Sequence, residues 1–275
     1  MKTYVDKFIT IGDCKVRYWE SGEGHSQTIV LLHGFAMSVE SWGENIAALA
    51  KHAHVLALDL PGFGKSQMEL KKRELDFLPK FLLHFLVTLG LPQICLLGHS
   101  MGGKVALRFA QLFPEKLNSL ILVSSAGFTY KLPFRLLTLP LLGEFLIRPN
   151  KKGIRSSLSK HMYARASLEE ELVESLFQIS YLPGYGRSLL SVLRNSADFI
   201  GMNRRMIQRI RRDLKKVTMP TLLIWGEQDQ LSTLQEAHSA YKGIQNAKLV
   251  VFDHCGHFPQ LEHPKKFTET VLSFI

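Results

Sequence analysis

Ile94-Cys95-Leu96-Leu97-Gly98-His99-Ser100-Met101-Gly102-Gly103-Lys104-Val105-Ala106-Leu107 decides how this chain is read. A short apolar run gives way to a Gly-flanked serine and then to residues with helical spacing. The reading is strand, sharp turn with a serine at its tip, then helix. Gly98 and Gly102 have a physical task in such a turn: a Cβ there would strike the neighbouring strand or helix. Glycine and serine are common, so the pattern needs partners elsewhere in the chain before it carries chemistry.

Working outward, Tyr4–Ile11 and Lys15–Trp19 read as short strands around a Gly12-Asp13 hairpin signal. Thr28–Leu32 and His54–Asp59 are apolar, β-branched runs of the kind buried on both faces of a parallel sheet. Ser38 is placed as the N-cap of a helix running to Ala50. A second helix spans Leu75 to Leu89, starting near Asp76 because of Pro79, and stops at Gly90 and Pro92. Leu117–Val123 is the sixth strand. The alternation of strand and helix then breaks, and residues 128–213 read as helical throughout. It resumes with Thr221–Gly226, a helix around Thr233–Tyr241, the strand Lys248–Phe252 and a closing helix Pro264–Ile275. The expected architecture is a mostly parallel, doubly wound α/β sheet. Residues 1–127 and 214–275 form the core, and 128–213 form an inserted helical cap.

In such a sheet catalytic groups gather at the carboxyl ends of the strands. Behind Thr221–Trp225 come Gly226-Glu227-Gln228-Asp229. Behind Lys248–Phe252 come Asp253-His254-Cys255-Gly256-His257-Phe258. A serine hydroxyl needs a base, and the base an orienting acid. Ser100, Asp229 and His257 fall in the chain order serine, acid, histidine. Glu227 remains an alternative acid, and Asp253 and His254 share the last loop. His99 is expected to pack under the serine turn, His33 to brace its loop by hydrogen bonding, and Asp59 to accept hydrogen bonds in a turn.

These residues resemble the α/β-hydrolase fold family in its branch of small cap-bearing serine hydrolases. The resemblance rests on the serine turn, His33-Gly34-Phe35, Asp59-Leu60-Pro61-Gly62-Phe63-Gly64-Lys65-Ser66, Trp225-Gly226-Glu227-Gln228-Asp229 and Gly256-His257-Phe258-Pro259-Gln260-Leu261-Glu262-His263-Pro264. It implies Ser100 as nucleophile, His257 as base, Asp229 as its acid, and the backbone N–H groups of Phe35 and Met101 as the oxyanion hole, with Gly34, Gly98 and Gly102 in support. Haloalkane dehalogenases and epoxide hydrolases of the family carry Asp at the nucleophile, so Ser100 points away from them. The carbon–carbon hydrolases of meta-cleavage products usually show Asn before the serine and Trp after the triad histidine. His99 and Phe258 stand there, which favours an ester, with acyl chains of medium length as in carboxylesterases and monoacylglycerol lipases. Carbon–carbon hydrolysis, cofactor-free haloperoxidase chemistry and a slow-turnover ligand receptor on the same fold are the alternatives. No metal or cofactor is expected.

Bulk properties set the remaining bounds. The 275 residues are 46% hydrophobic, enough to bury a sizeable core. Cys14, Cys95 and Cys255 show neither metal spacing nor a disulfide framework, and Met1–Lys7 lacks the apolar core of a signal peptide, so a cytoplasmic location is expected. The net charge of +10 is concentrated: residues 131–216 hold 17 Lys and Arg against 7 Asp and Glu. With the apolar run Leu132–Ile147, this leads to an expectation of peripheral contact between the cap and an anionic membrane. The partner otherwise expected is a small ester or lipid. No nucleic-acid motif is present.

Overall fold

The structure, a computed structural model, describes residues 4–67, 76–128, 135–197 and 203–275. Among these, eight strands form one sheet: β1 (Lys7–Ile11), β2 (Cys14–Ser21), β3 (Thr28–Leu32), β4 (His54–Leu58), β5 (Ile94–His99), β6 (Leu117–Val123), β7 (Thr221–Gly226) and β8 (Ala247–Phe252). Their order is β1-β2-β4-β3-β5-β6-β7-β8. The β1–β2 hairpin and the β2–β4 pair are antiparallel, and every later pair is parallel. The sequence rules explain the split. β3 is buried at all five positions, as a strand covered on both faces requires, whereas β1 alternates half-buried and exposed at the edge.

The core lies in two apolar layers, one on each face of the sheet. One layer joins Val30, Leu32, Leu96 and Leu122 to the helices α2 (Phe77–Thr88) and α3 (Met101–Leu112). The other joins Leu31, Leu97 and Ile224 to α1 (Gly43–Leu49) and α11 (Pro264–Leu272). The helix α9 (Leu234–Gly243) opens with a capping box of Thr233 and Glu236. Between β6 and β7 the described residues contain only helices: α4 (Leu142–Leu146), α5 (Lys151–Lys160), α6 (Glu170–Ser180), α7 (Tyr185–Ser196), α8 (Arg204–Arg212) and short 3₁₀ turns. The β3, β6 and β7 bounds match the sequence expectation, and the other elements shift at their ends by one to three residues. Leu75 and the start of the Leu132–Ile147 run lie outside the described residues. No helix among the described residues is long and apolar enough to cross a membrane, and the three cysteines are free and buried.

One expectation needs correction. Ser38 sits at the helix start, but its side chain makes no cap; its hydroxyl is buried and lacks a hydrogen-bond partner among the described residues. Asp59 takes over the task from a distant strand end, accepting the Val39 N–H at 2.8 Å, and a 3₁₀ turn (Val39–Trp42) precedes α1. The basic segment makes specific contacts along α8. On α8, Arg209 pairs with Asp76, Arg212 with Asp213, and Arg211 donates to the Phe128 carbonyl. Of these contacts the Arg209–Asp76 pair ties the helix to the core.

Candidate active site

Ser100 closes β5 with φ 52° and ψ −112°, an unfavourable conformation for a residue with a Cβ. The surroundings enforce it. Its N–H donates to the Val123 carbonyl at 2.9 Å, and its own carbonyl accepts from Lys104 and Ala126. The flanking glycines leave no choice: a Cβ on Gly98 would lie 2.4 Å from the Gly102 carbonyl oxygen, and one on Gly102 would lie 2.3 Å from that of Leu32. The turn presses α3 against the ends of β3 and β5 and lifts the hydroxyl above the sheet.

Ser100, His257 and Asp229 come together in one relay. The Ser100 hydroxyl lies 2.9 Å from His257 Nε2, and His257 Nδ1 lies 2.8 Å from Asp229 Oδ2. The other Asp229 oxygen accepts from the N–H groups of Leu231 and Ser232 at 2.8 and 3.0 Å. Burial pushes the Asp229 carboxyl up, but His257 and those two donors outweigh it and hold it below the usual range. An ionised Asp229 fixes the proton on Nδ1 and leaves Nε2 as acceptor for the serine. The acid and histidine loops are locked together: Gln228 accepts from Cys255 N–H, and Gly226 approaches the Gly256 carbonyl too closely for any side chain. Glu227 is bound to its neighbour Gln228, and Asp253 is exposed and paired with Lys266. Neither joins the relay, nor does exposed His254.

Phe35 and Gly34 follow β3 and line the same cavity as Ser100, while Met101 is buried at the first position of α3. The first N–H groups of a helix have no intrahelical partner and point towards negative charge. His33 braces this loop as expected, donating from Nδ1 to the Gly34 carbonyl and accepting from Leu60 N–H through Nε2. Asp59 accepts from Val39 and Lys65 N–H and pairs with buried Arg17. His99 packs beneath the relay: its Nε2 donates to the His257 carbonyl at 2.8 Å, and the two rings lie 5.0 Å apart. Burial pushes His33 down to about 4 and His99 down to about 3, so both are neutral.

Sequence reasoning missed two parts of the site. Glu262, on α10 (Pro259–Glu262), is buried, and its carboxylate collects four backbone N–H groups. Those of Gly256 (3.0 Å) and Phe258 (3.2 Å) flank His257, and those of Tyr163 (2.7 Å) and Ala164 (2.9 Å) belong to the helical insertion. It staples the insertion to the histidine loop. His161 adds to the joint, its carbonyl accepting the His257 N–H at 2.8 Å. Glu262 stood in the quoted terminal segment, five residues beyond His257, but a carboxylate with no cation in the sequence pattern gives no hint of four amide partners.

The Ser100 hydroxyl opens into a cavity of about 340 Å³. Met37, Leu158, Leu176, Leu189 and Phe258 give it apolar walls, and Asn150, Ser157, Ser180 and Tyr185 add polar groups. Among the described lining residues Arg148 alone carries a fixed formal charge, and it lies exposed. Among the described residues no group of side chains could hold a metal ion.

Comparison with known proteins agrees with this architecture. The alpha/beta hydrolase fold family matches residues 27–264. The chain is 30% identical to a 2-hydroxy-6-oxononadienedioate/2-hydroxy-6-oxononatrienedioate hydrolase of Pseudomonas putida, over 98% of this chain and 96% of that protein. Among solved structures, a mutant of a meta-cleavage product hydrolase superposes with a TM-score of 0.81 at 25% identity, covering 98% of this chain and 97% of the other. A putative lipase from Acinetobacter baumannii superposes with a TM-score of 0.83 at 25% identity, covering 98% and 90%.

Proposed function

Since the chain belongs to the alpha/beta hydrolase fold family, we propose that it is a serine hydrolase that splits a bond next to a carbonyl through an acyl-enzyme on Ser100. The relay of 2.9 and 2.8 Å contacts from Ser100 through His257 to Asp229 carries this reading. His257 Nε2 takes the hydroxyl proton as Ser100 Oγ bonds to the carbonyl carbon, while Asp229 stabilises the imidazolium. The N–H groups of Met101 and Phe35 receive the developing oxyanion; one such donor is worth about 2.7–4 kcal/mol. His257 returns the proton to the leaving group. Water, activated by the same histidine, then attacks the acyl carbon and frees Ser100. Residues 128–213 act as the cap that closes the cavity over the acyl group.

Two substrate classes compete. The aliphatic and aromatic part of the lining favours an ester with an apolar acyl chain of medium length, while Asn150, Ser157 and Ser180 in the same lining offer polar groups, and the one fixed charge sits on exposed Arg148. An oxygen leaving group needs only the His257 proton. A carbon leaving group must also be delocalised into conjugation, which calls for polar groups around its far end. His99 and Phe258 agree with the ester. The relatives favour the other class better, because both the Pseudomonas putida protein and one of the superposed structures are named as hydrolases of meta-cleavage products or their like. On that second reading Arg148 at the rim meets the substrate carboxylate and the aliphatic wall holds the ketone side. The test is kcat/KM on p-nitrophenyl esters of increasing chain length, measured beside 2-hydroxy-6-oxo-6-phenylhexa-2,4-dienoate. The ester reading expects an optimum beyond acetate and faster turnover of the best ester. Faster turnover of the dienoate makes the carbon–carbon bond the substrate, and turnover of neither removes the hydrolase reading.

A further inference from the structure

We propose that the face of the cap around α4 docks on an anionic phospholipid surface, with the mouth of the Ser100 cavity turned towards the lipid. Leu136, Leu141, Leu142, Phe145 and Leu146 are 55%, 85%, 36%, 60% and 46% exposed, and all fall within residues 136–146. Tyr181 and Leu182, in the turn between α6 and α7, are exposed as well. Apart from Tyr163, the other large exposed apolar residues described, such as Val87 and Tyr241, belong to the core. Clustered exposure of this kind marks an interaction surface.

Both exposed groups run directly into the cavity mouth. Leu146, Ile147 and exposed Arg148 line the cavity at the end of the first group, and Ser180 and Tyr185 line it on either side of the second. The face is held out by construction. Arg194 on α7 donates to the carbonyls of Thr138 and Leu139 and pairs with Glu144 at 2.7 Å. Gly143 approaches the Leu137 carbonyl so closely that a Cβ would lie 2.4 Å from it. The leucines are thus presented on an anchored turn.

The charge pattern selects the occupant. Arg194 cancels Glu144, the one acid between Leu136 and Asn150. Exposed Arg148, whose guanidinium lies 5.1 Å from the Phe145 ring centre, directly follows the patch, and exposed Lys152 lies a few residues further along the chain. Aromatic and aliphatic side chains flanked by arginine and lysine suit the boundary between headgroups and acyl chains, with the apolar tips inserted and the cations at the phosphates. Three of the α8 arginines are already engaged: Arg209 with Asp76, Arg211 with the Phe128 carbonyl and Arg212 with Asp213. The docking rests on the exposed face itself; only the route it implies, from bilayer to Ser100 without crossing water, rests on the acyl-hydrolase reading.

The full chain is floated with vesicles of phosphatidylcholine, with and without phosphatidylglycerol, at low and high salt. The expected result is binding to the anionic vesicles that weakens with salt. Replacing Leu141→Asp together with Phe145→Asp, neither of which lines the cavity, lowers that binding at least about tenfold. Turnover of a dissolved short-chain ester stays within about twofold of wild type, which also shows that the variant folds. A Phe145→Trp variant gives a blue-shifted emission when anionic vesicles are added. Absent flotation of the wild type, unchanged flotation of the double variant, or no spectral shift overturns the proposal. So does a dimer in sedimentation velocity that the double variant dissociates, with no vesicle binding. In the wild type, absent vesicle binding with intact ester turnover refutes the docking alone; vesicle binding without turnover refutes the hydrolase reading alone.

Discussion

Replacing Glu262→Gln probes how the cap and the catalytic histidine share one anchor. The carboxylate is 5% exposed and accepts four main-chain N–H groups, two beside His257 and two in the cap. Glutamine has nearly the same shape but only one acceptor end. Whichever way the amide turns, its NH₂ faces two N–H donors that had been bonded to oxygen. Losing two hydrogen bonds to a charged acceptor, each worth about 1.5–3 kcal/mol, costs about 3–6 kcal/mol. That is a large share of the roughly 5–15 kcal/mol that holds a domain together. With the NH₂ towards Gly256 and Phe258, the histidine loop shifts. With it towards Tyr163 and Ala164, the cap loosens and takes with it the His161 carbonyl that fixes His257 N–H. Either way the 2.9 Å contact between His257 and Ser100 is disturbed. Misplacement by an ångström costs on the order of 100-fold in rate. Urea unfolding and kcat on the best substrate are measured together. The expected variant has a lower midpoint and a kcat down at least about tenfold, with KM changed less. Wild-type stability and wild-type kcat in Glu262→Gln would refute the staple.

Two further predictions follow from the site. In Asp229→Asn the side-chain oxygen stays with the Leu231 and Ser232 N–H groups, so the amide NH₂ faces His257 Nδ1. The ring must then carry its proton on Nε2 and cannot accept from Ser100. A kcat loss of about 10³–10⁴-fold is expected with little change in KM, and a variant within tenfold of wild type contradicts the tautomer argument. Acid stability tests the buried imidazoles. Burial lowers His33 to about 4 and His99 to about 3 from an ordinary 6.5. The unfolded chain therefore takes up protons first as pH falls. Their stabilising contribution is whole above about 6.5 and is lost progressively towards 3, with about 4 kcal/mol gone at pH 5 for the pair. The urea midpoint at pH 5 should lie well below that at pH 7.5, and His99→Asn should narrow the gap; a pH-independent midpoint would contradict it.

Much of the catalytic geometry is legible in the sequence because Ser100, Asp229 and His257 each stand just past a strand, and a parallel sheet brings strand ends together. Asp59 was legible as an acceptor for the same reason. What escaped depends on contacts between distant elements. Ser38 has the right residue type for a cap, yet Asp59 reaches the same N–H from another strand end, so local propensity loses to tertiary geometry. Glu262 is a single carboxylate until residues 163 and 164 fold over it. The basic excess of the insertion is visible as a count, but only coordinates show that Arg209 meets Asp76 of the core, Arg211 the Phe128 carbonyl and Arg212 its neighbour Asp213.

The most direct test of the central reading is the site of covalent labelling by a fluorophosphonate. The relay predicts one adduct, on Ser100, formed quickly in the wild type, slowed in His257→Ala and absent in Ser100→Ala. Folded protein that stays unlabelled, or an adduct on another residue that survives Ser100→Ala, would contradict it.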